Sequence, residues 1–202
     1  MKYLKYAYEN KYTEPFYKDG AITAYHQSIV LLDNTWEDRK KSSLEGYHRK
    51  YNKYLEWGDT QFEYYRKMVQ LCKDNNINLK VFTTAIHVSQ LNILKEVNKM
   101  DIFYKWKDEL VKIYPYYDFM TENSITINDD NYIDTSHIKQ EFGYLYFARI
   151  FEDDSVNIPK DFGIDIRRAR QTTITTYADA SNMIFYKRIL EGVTVTSGYF
   201  NA

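Results

Sequence analysis

The sequence is nearly devoid of cysteine, which removes one class of stabilisation. Cys72 is the only cysteine among 202 residues, so no disulfide can form within the chain. It falls at helical core spacing with Phe62, Tyr65 and Val69, and a thiol in such a position is typically buried and inert. The sequence therefore predicts neither a disulfide scaffold nor a cysteine nucleophile.

Proline, glycine, excess charge and long apolar runs are also scarce. Three prolines and seven glycines argue against a disordered or linker-rich protein. The 27 basic and 28 acidic residues leave a net charge of −1, which gives no attraction to nucleic acid or anionic lipid. No apolar run reaches about 18 residues and the start carries no signal peptide, so we expect no membrane segment and a cytoplasmic location by default.

Aromatic residues, above all tyrosine, are unusually abundant. The chain holds 21 tyrosines, and 17% of its residues are aromatic. Tyrosines in such numbers could line a carbohydrate or peptide groove, but they serve equally well at the edge of a core. Because nothing in the sequence gathers them at one place, we favour the second interpretation. The hydrophobic share of 44% suffices for one well-cored domain, or for one domain with an appendage.

Composition divides the chain into three parts. Residues 1–58 are polar and aromatic, and their spacing predicts a covering segment of helices and loops with little core of its own. Residues 59–152 alternate helical and strand-like stretches, which is typical of an α/β unit. Residues 153–202 have strand composition around one helical stretch and predict an α+β extension.

Three arginines cluster in the predicted extension. They could bind phosphate, but arginines in a solvated segment more often only face water, and we favour that interpretation. The cluster consists of Arg167, Arg168 and Arg170.

The α/β unit begins with a helix that feeds a strand. Thr60 and Glu63 form a capping-box pattern, which predicts that Thr60 caps a helix ending near Lys73. Residues 77–84 are rich in β-branched and aromatic side chains and predict a short buried strand in a parallel sheet. His87 follows at the carboxyl end of that strand, the edge where open α/β sheets place their sites.

Three further helices and one further strand are predicted beyond His87. Residues 89–99 and 101–113 have helical spacing, each with its first residue as the cap. Residues 116–119 are a second strand candidate. A polar loop then leads to a final helix opened by His137. Its predicted inward side chains are Ile138, Phe142, Leu145, Tyr146 and Ile150.

The strongest candidate for chemistry is the DxxH sequence formed by Asp134 and His137. A carboxylate can hold an imidazole in one tautomer and orientation, which suits the imidazole to act as a general base. Other interpretations stay open at this point. Asp134 could cap the final helix or form a turn. Alternatively, His87 and His137 could bind a metal together with Asp118 or Asp134, although the spacing is not diagnostic.

The order of helix, strand, two helices, strand, acidic loop, DxxH and helix resembles the C-terminal half of the SGNH/GDSL hydrolase superfamily, in particular its envelope-associated members. The resemblance covers about residues 60–152. It implies a partial three-layer α/β/α, flavodoxin-like unit with few parallel strands, in which His137 is the catalytic base and Asp134 orients it. It also implies an esterase or acyl hydrolase without metal or cofactor. The expected substrate is acylated cell-surface carbohydrate, and the expected full-length form is membrane-anchored outside the cytoplasm.

The sequence departs from this family at its nucleophile. No Gly-Asp-Ser-like block follows an apolar strand; Gly58-Asp59-Thr60 directly precedes a helix, and Ser136 sits inside the DxxH loop itself. Two functions follow as expectations. The chain is the C-terminal part of an acyl hydrolase, supplying base and orienting acid but inactive alone. Alternatively, it is a non-catalytic fragment or pseudoenzyme with a structural or binding role.

Overall fold

The computed structural model describes residues 34–166. The arginine cluster, the first 33 residues of the predicted covering segment and the part of the predicted α+β extension after residue 166 lie outside the described residues.

The described part of the chain is a mixed α/β fold in which helices predominate and strands are short. The α-helices are α1 Trp36–Tyr54, α2 Asp59–Asp74, α3 Val88–Glu96, α4 Met100–Ile113 and α5 Gly143–Phe151. The strands are β1 Phe82–Thr83, β2 Tyr117–Asp118, β3 Tyr132–Asp134, β4 His137–Ile138 and β5 Ile164–Asp165. Short 3-10 turns occupy Asp129–Asn131 and Gln140–Phe142.

A three-stranded sheet with the order β1-β2-β5 lies at the centre. β1 and β2 run parallel, with Phe82 opposite Tyr117, which confirms the predicted parallel pair. β1 is much shorter than the predicted strand over residues 77–84. β5 joins β2 antiparallel, pairing Asp165 with Tyr117, so the sheet includes residues beyond position 152.

Two apolar clusters flank the sheet, and neighbouring residues of β2 belong to different ones. Tyr116 packs with Tyr104 and Val111 of α4. Tyr117 packs in the second cluster with Leu145 and Ile150 of α5. Successive residues of an extended chain point to opposite sides, so the strand contributes to both clusters. The predicted inward residues Leu145, Tyr146 and Ile150 are buried.

Gly163 turns the chain into β5 where no other residue fits. Its φ angle is +77°, in the left-handed region. A Cβ at this position would collide with the ring of Phe119, which is fully buried, and with the aliphatic part of Arg149. The close packing of Phe119 against Phe162, with ring centroids 4.8 Å apart, therefore depends on a glycine here.

The helix caps differ from those predicted. α2 begins at Asp59 with Gly58 before it and no side-chain cap, so the predicted capping box at Thr60 is wrong. Trp57 explains the earlier start, because its indole N–H donates to Asp59 Oδ1 at 2.6 Å and its ring stacks on Phe62 at 5.0 Å. Asn75 ends α2, close to the predicted stop.

The predicted caps of α3 and α4 are each two residues too late. His87, not Ser89, caps α3, and its Nδ1 accepts the Ser89 N–H at 3.2 Å. α4 follows Lys99 without a side-chain cap, so Asp101 contributes only a negative charge in the first turn. The tight turn between the helices explains this start, since Asn98 adopts the left-handed conformation just before it.

α1 is an amphipathic cover with no buried residue of its own. A capping box of Thr35 and Asp38 opens it: Asp38 N–H donates to Thr35 Oγ1 at 3.2 Å, and Thr35 N–H donates to Asp38 Oδ2 at 3.1 Å. The helix packs on α3 and β3. The covering role of residues 1–58 stays a prediction.

Candidate active site

The DxxH sequence lies in a tight surface hairpin. β3 ends at Asp134, β4 begins at His137, and these two residues pair with each other. The prediction that His137 opens the final helix is wrong. Tyr132 pairs with Ile138 and keeps the chain extended, and α5 begins only at Gly143.

The carboxylate of Asp134 shapes this turn. Its Oδ1 accepts the backbone N–H of Ser136 at 2.8 Å and that of His137 at 3.0 Å. An aspartate that accepts amides two and three residues further along stabilises a turn in place of a helix. Asp134 therefore forms the turn that the sequence allowed, and the alternative that it caps the final helix is wrong.

The same carboxylate holds the imidazole of His137. Nδ1 lies 2.9 Å from both Oδ1 and Oδ2 of Asp134. Because a carboxylate only accepts, Nδ1 carries the hydrogen, and in the neutral ring Nε2 then carries the lone pair. The His137 side chain is 71% exposed, against 29% for Asp134. Within residues 34–166 nothing hydrogen-bonds to Nε2, so this lone pair is open to an incoming group.

The two groups shift each other's protonation. The hydrogen bond to Asp134 raises the pKa of His137 above its ordinary value, against a smaller lowering by partial burial. Partial burial raises the pKa of the Asp134 carboxyl, but the hydrogen bonds from His137 and Ser136 outweigh it, and the pKa ends below its ordinary value. The pair is therefore a carboxylate beside an imidazole that readily accepts a proton.

Neighbouring elements hold the hairpin in place. From α1, Arg39 Nε donates to Ile133 O at 2.6 Å, and the hydroxyl of Ser43 hydrogen-bonds that of Thr135. From the start of α3, His87 N–H donates to Thr135 O at 2.9 Å. Thr135 is fully buried. Contacts from α1 and from the start of α3 therefore hold the turn in place, and this restricts the position of His137.

His87 has a structural role beneath the hairpin. It is 2% exposed, and its Nε2 lies 2.8 Å from Asp129 Oδ1, close but outside hydrogen-bond geometry. Lys40 reaches both oxygens of the same carboxylate at 3.0 Å. The ring also meets Trp36 and Tyr132 edge-on. Burial lowers the pKa of His87, so it is neutral at pH 7.

Gln90 connects the hairpin to the helices behind it. Its side chain is buried, its Oε1 accepts the Ser136 hydroxyl at 3.0 Å, and its Nε2 donates to Tyr51 Oη at 2.5 Å. The Ser136 hydroxyl is therefore engaged with Gln90 and makes no hydrogen bond to the neighbouring imidazole of His137. Sequence reasoning did not identify Gln90, and a lone glutamine within a helix gave no signal.

The metal alternative has no support in the described part of the chain. Of the two carboxylates offered for it, Asp118 instead pairs with Lys107 and Asp134 holds His137, whereas His87 faces Asp129. No group of three histidine, cysteine or acidic side chains that could hold a metal ion occurs within residues 34–166.

Sequence reasoning also missed a buried ion pair. Lys107 Nζ lies 2.7 Å from Asp118 Oδ2, and both side chains are almost wholly buried. Thr83 Oγ1 donates to Asp118 Oδ1 at 2.7 Å, and Lys107 also donates to Met120 O at 2.7 Å. The pair closes the carboxyl ends of β1 and β2, where the sequence favoured a functional site.

A cavity of about 570 Å³ lies between α1, α2, α3 and α4, and the sequence did not predict it. One apolar side of α4 is only half-buried and lines this cavity with four residues: Ile102, Phe103, Trp106 and Leu110. The core side of α4 carries Tyr104, Lys107 and Val111 instead. Cys72, expected to be buried, is half-buried.

The comparisons with known proteins add no relative. No family model, curated protein or solved structure matches the chain. In the stretch from residue 34 to residue 166, no helix is both long enough and apolar enough to cross a membrane. The geometry of the hairpin is therefore the basis for a proposed function.

Proposed function

We propose that this chain is the C-terminal part of an SGNH-type serine esterase or acyl hydrolase, with His137 as the base and Asp134 as the residue that orients it. The observation that carries the proposal is the hydrogen-bonded pair at 2.9 Å with Nε2 open to solvent. A catalytic base of this kind needs one ring nitrogen held by a carboxylate and the other facing the nucleophile.

The chemistry follows from the tautomer. Nε2 of His137 takes the proton of a serine hydroxyl as the oxygen attacks the acyl carbonyl, and Asp134 stabilises the imidazolium that forms. The imidazolium then returns the proton to the departing alcohol. In the second half-reaction the neutral imidazole takes a proton from the water that attacks the acyl-serine intermediate, and it returns this proton to the serine oxygen as the carboxylic acid leaves. Ser136 is engaged with Gln90, and within residues 34–166 no serine hydroxyl hydrogen-bonds His137, so the proposal takes the serine from outside these residues.

The architecture proposed for the complete catalytic unit is a three-layer α/β/α, flavodoxin-like one. Its support here is that the sheet has a parallel pair and that neighbouring residues of β2 pack with α4 and with α5 in separate clusters. The proposed substrate, an acylated carbohydrate of the cell surface, and a membrane-anchored, extracytoplasmic full-length form have the resemblance as their only support.

A serine-reactive fluorophosphonate probe tests the proposal. We expect labelling of the 202-residue chain only if it carries its own nucleophile, and that labelling should disappear in His137→Ala, because nucleophile and base act as a unit. Glu141→Ala, which removes an exposed carboxylate further along the same segment, is the matched control and should label like the unaltered chain. Absence of labelling in the unaltered chain would rule out esterase activity for this chain alone.

The second candidate is a non-catalytic binding or structural role. It is favoured by the hydrogen bond that diverts Ser136 to Gln90 and by the absence, within residues 34–166, of any serine hydroxyl bonded to His137. Under this proposal Asp134 and His137 only shape the turn. Replacing His137 would then change neither labelling nor any ligand binding.

A further inference from the structure

The cavity among the four helices has the size of a ligand site. Its volume of about 570 Å³ falls within the roughly 300–1,000 Å³ typical of small-molecule sites. The space is partly open to solvent, so a ligand can enter it from outside. It lies between the last turn of α1 and the packed helices α2, α3 and α4.

The residues that line the cavity favour an apolar ligand. Aromatic rings contribute much of the surface, with Trp57 and Phe62 stacked on one side and Phe103 and Trp106 stacked on the other. Such a lining offers water few hydrogen-bond partners, whereas it gains from contact with an apolar body.

The few charged residues around the cavity favour an uncharged ligand. Among residues 34–166, no lysine or arginine lines the cavity, and the one charged lining residue is the acidic Glu56. Lys105 lies over the Trp57 ring at 3.8 Å, outside the lining itself, and Lys107 is paired with Asp118. An anionic ligand such as a free fatty acid would lose its hydration without gaining a cation.

One end of the cavity offers a hydrogen bond. Tyr51 Oη receives the Gln90 Nε2–H at 2.5 Å, so the hydrogen of the Tyr51 hydroxyl is left to donate elsewhere. Burial raises the pKa of Tyr51, which keeps that hydrogen in place. A carbonyl or ether oxygen on the ligand would accept it.

We infer that this cavity is a binding site for an uncharged, apolar small molecule whose carbonyl or ether oxygen accepts a hydrogen bond from Tyr51. The inference does not rest on the proposed function, because it uses neither His137 nor a nucleophile. The polar end of the site lies two hydrogen bonds from the DxxH turn, through Gln90 to Ser136.

The test measures binding of a neutral fluorescent probe, N-phenyl-1-naphthylamine, to the full 202-residue chain. We expect saturable binding of one probe per chain. Ile102→Trp fills the cavity from α4 and should weaken binding at least about fivefold, since the lost volume excludes the probe. Leu71→Trp adds the same side chain at an exposed position of α2 outside the cavity and should leave the affinity unchanged. If Ile102→Trp fails to fold, as judged by circular dichroism, Leu110→Trp takes its place.

Competition with two matched ligands tests the chemistry. Methyl octanoate should displace the probe at a concentration at least about tenfold lower than octanoate, because the anion finds no cation in the cavity. Tyr51→Phe should weaken the binding of methyl octanoate. It should leave the affinity for the probe, which lacks a carbonyl, unchanged.

Three results would overturn the inference. They are no saturable binding, equal probe affinities in Ile102→Trp and Leu71→Trp, and equal displacement by ester and anion. None of them affects the fluorophosphonate experiment, so the two proposals fail separately.

Discussion

Two pairs in this molecule join a carboxylate to a nitrogen base and have opposite surroundings. Lys107 and Asp118 lie 2.7 Å apart with side chains 2% and 0% exposed, closed in by Thr83 and Met120. Asp134 and His137 lie 2.9 Å apart with His137 largely in solvent. The buried pair cannot exchange protons with a substrate, and the exposed pair can. Burial, rather than residue type, separates the structural pair from the candidate catalytic one.

The largest expected effect comes from breaking the buried pair. Asp118→Ala leaves the Lys107 ammonium without its partner in the core and should lower the free energy of unfolding by about 3–5 kcal/mol. Urea unfolding measures this. His137→Ala, which breaks the exposed pair but keeps the backbone hydrogen bonds to Asp134, should cost about 1 kcal/mol or less. Equal losses would contradict the contrast between the two pairs.

A smaller effect is expected from the clamp that holds the exposed pair. Ser43→Ala leaves the buried hydroxyl of Thr135 without its partner and should cost about 1–2 kcal/mol in urea unfolding. Ser42→Ala, one residue earlier on the exposed side of α1, is the control and should change stability little. If both variants behave alike, the hydroxyl pair does not hold the turn.

Removing the charge of Asp134 should change the titration of His137. In Asp134→Asn the pKa of His137 should fall, because the hydrogen bond to a carboxylate is the main cause of its raised value. The pH dependence of the imidazole Cε1–H signal in proton NMR measures it, with His137→Gln used for assignment. Glu141→Gln makes the same change of net charge nearby and should leave the pKa of His137 unchanged. An unchanged pKa in Asp134→Asn would show that the pair does not form in solution.

The smallest expected effect is the pH dependence of stability from the exposed pair. Asp134 has a depressed folded pKa, so its contribution is present above the unfolded pKa of about 3.9 and is lost as pH falls through the folded value. His137 has a raised folded pKa, so its contribution is full below about pH 6.5 and is lost as pH rises through the folded value. Both contributions are present between about pH 4 and 6.5. In this range the pair should add less than about 1 kcal/mol to the free energy of unfolding, since solvent screens the interaction.

Unfolding in urea at about pH 5.5 and about pH 8.5 measures this contribution, within and above the window in which both groups are charged. The unaltered chain is compared with an Asp134→Asn, His137→Gln double variant, whose stability difference from it should be larger at the lower pH. A larger difference at the higher pH would reverse the sign argument.

Local patterns predicted those elements that depend on neighbouring residues. The helices corresponding to α2, α3, α4 and α5 and the parallel strand pair follow from spacing and composition, although their ends shift by one to several residues. The Asp134–His137 contact also follows from proximity, because the two residues are only three apart in the chain. The catalytic role of that contact stays a prediction.

The predictions that failed were decided by distant partners. His137 was expected in a helix, but Thr135 is held by His87 and Ser43, and these contacts favour a hairpin. Lys107 shares helical spacing with Tyr104 and Val111 but was not expected in the core, because only Asp118 makes its burial tolerable.

The sequence by itself determined that the chain carries a carboxylate and an imidazole within reach of each other, on a mixed α/β framework with two parallel strands. It could do so because a turn, a helix face and a strand depend on residues close together in the chain. The tertiary structure alone decided that His137 faces solvent, that Asp118 is paired with Lys107 and that four helices border a partly open cavity. Exposure, charge pairing and the shape of a cavity depend on side chains that meet only after folding, and no local pattern encodes them.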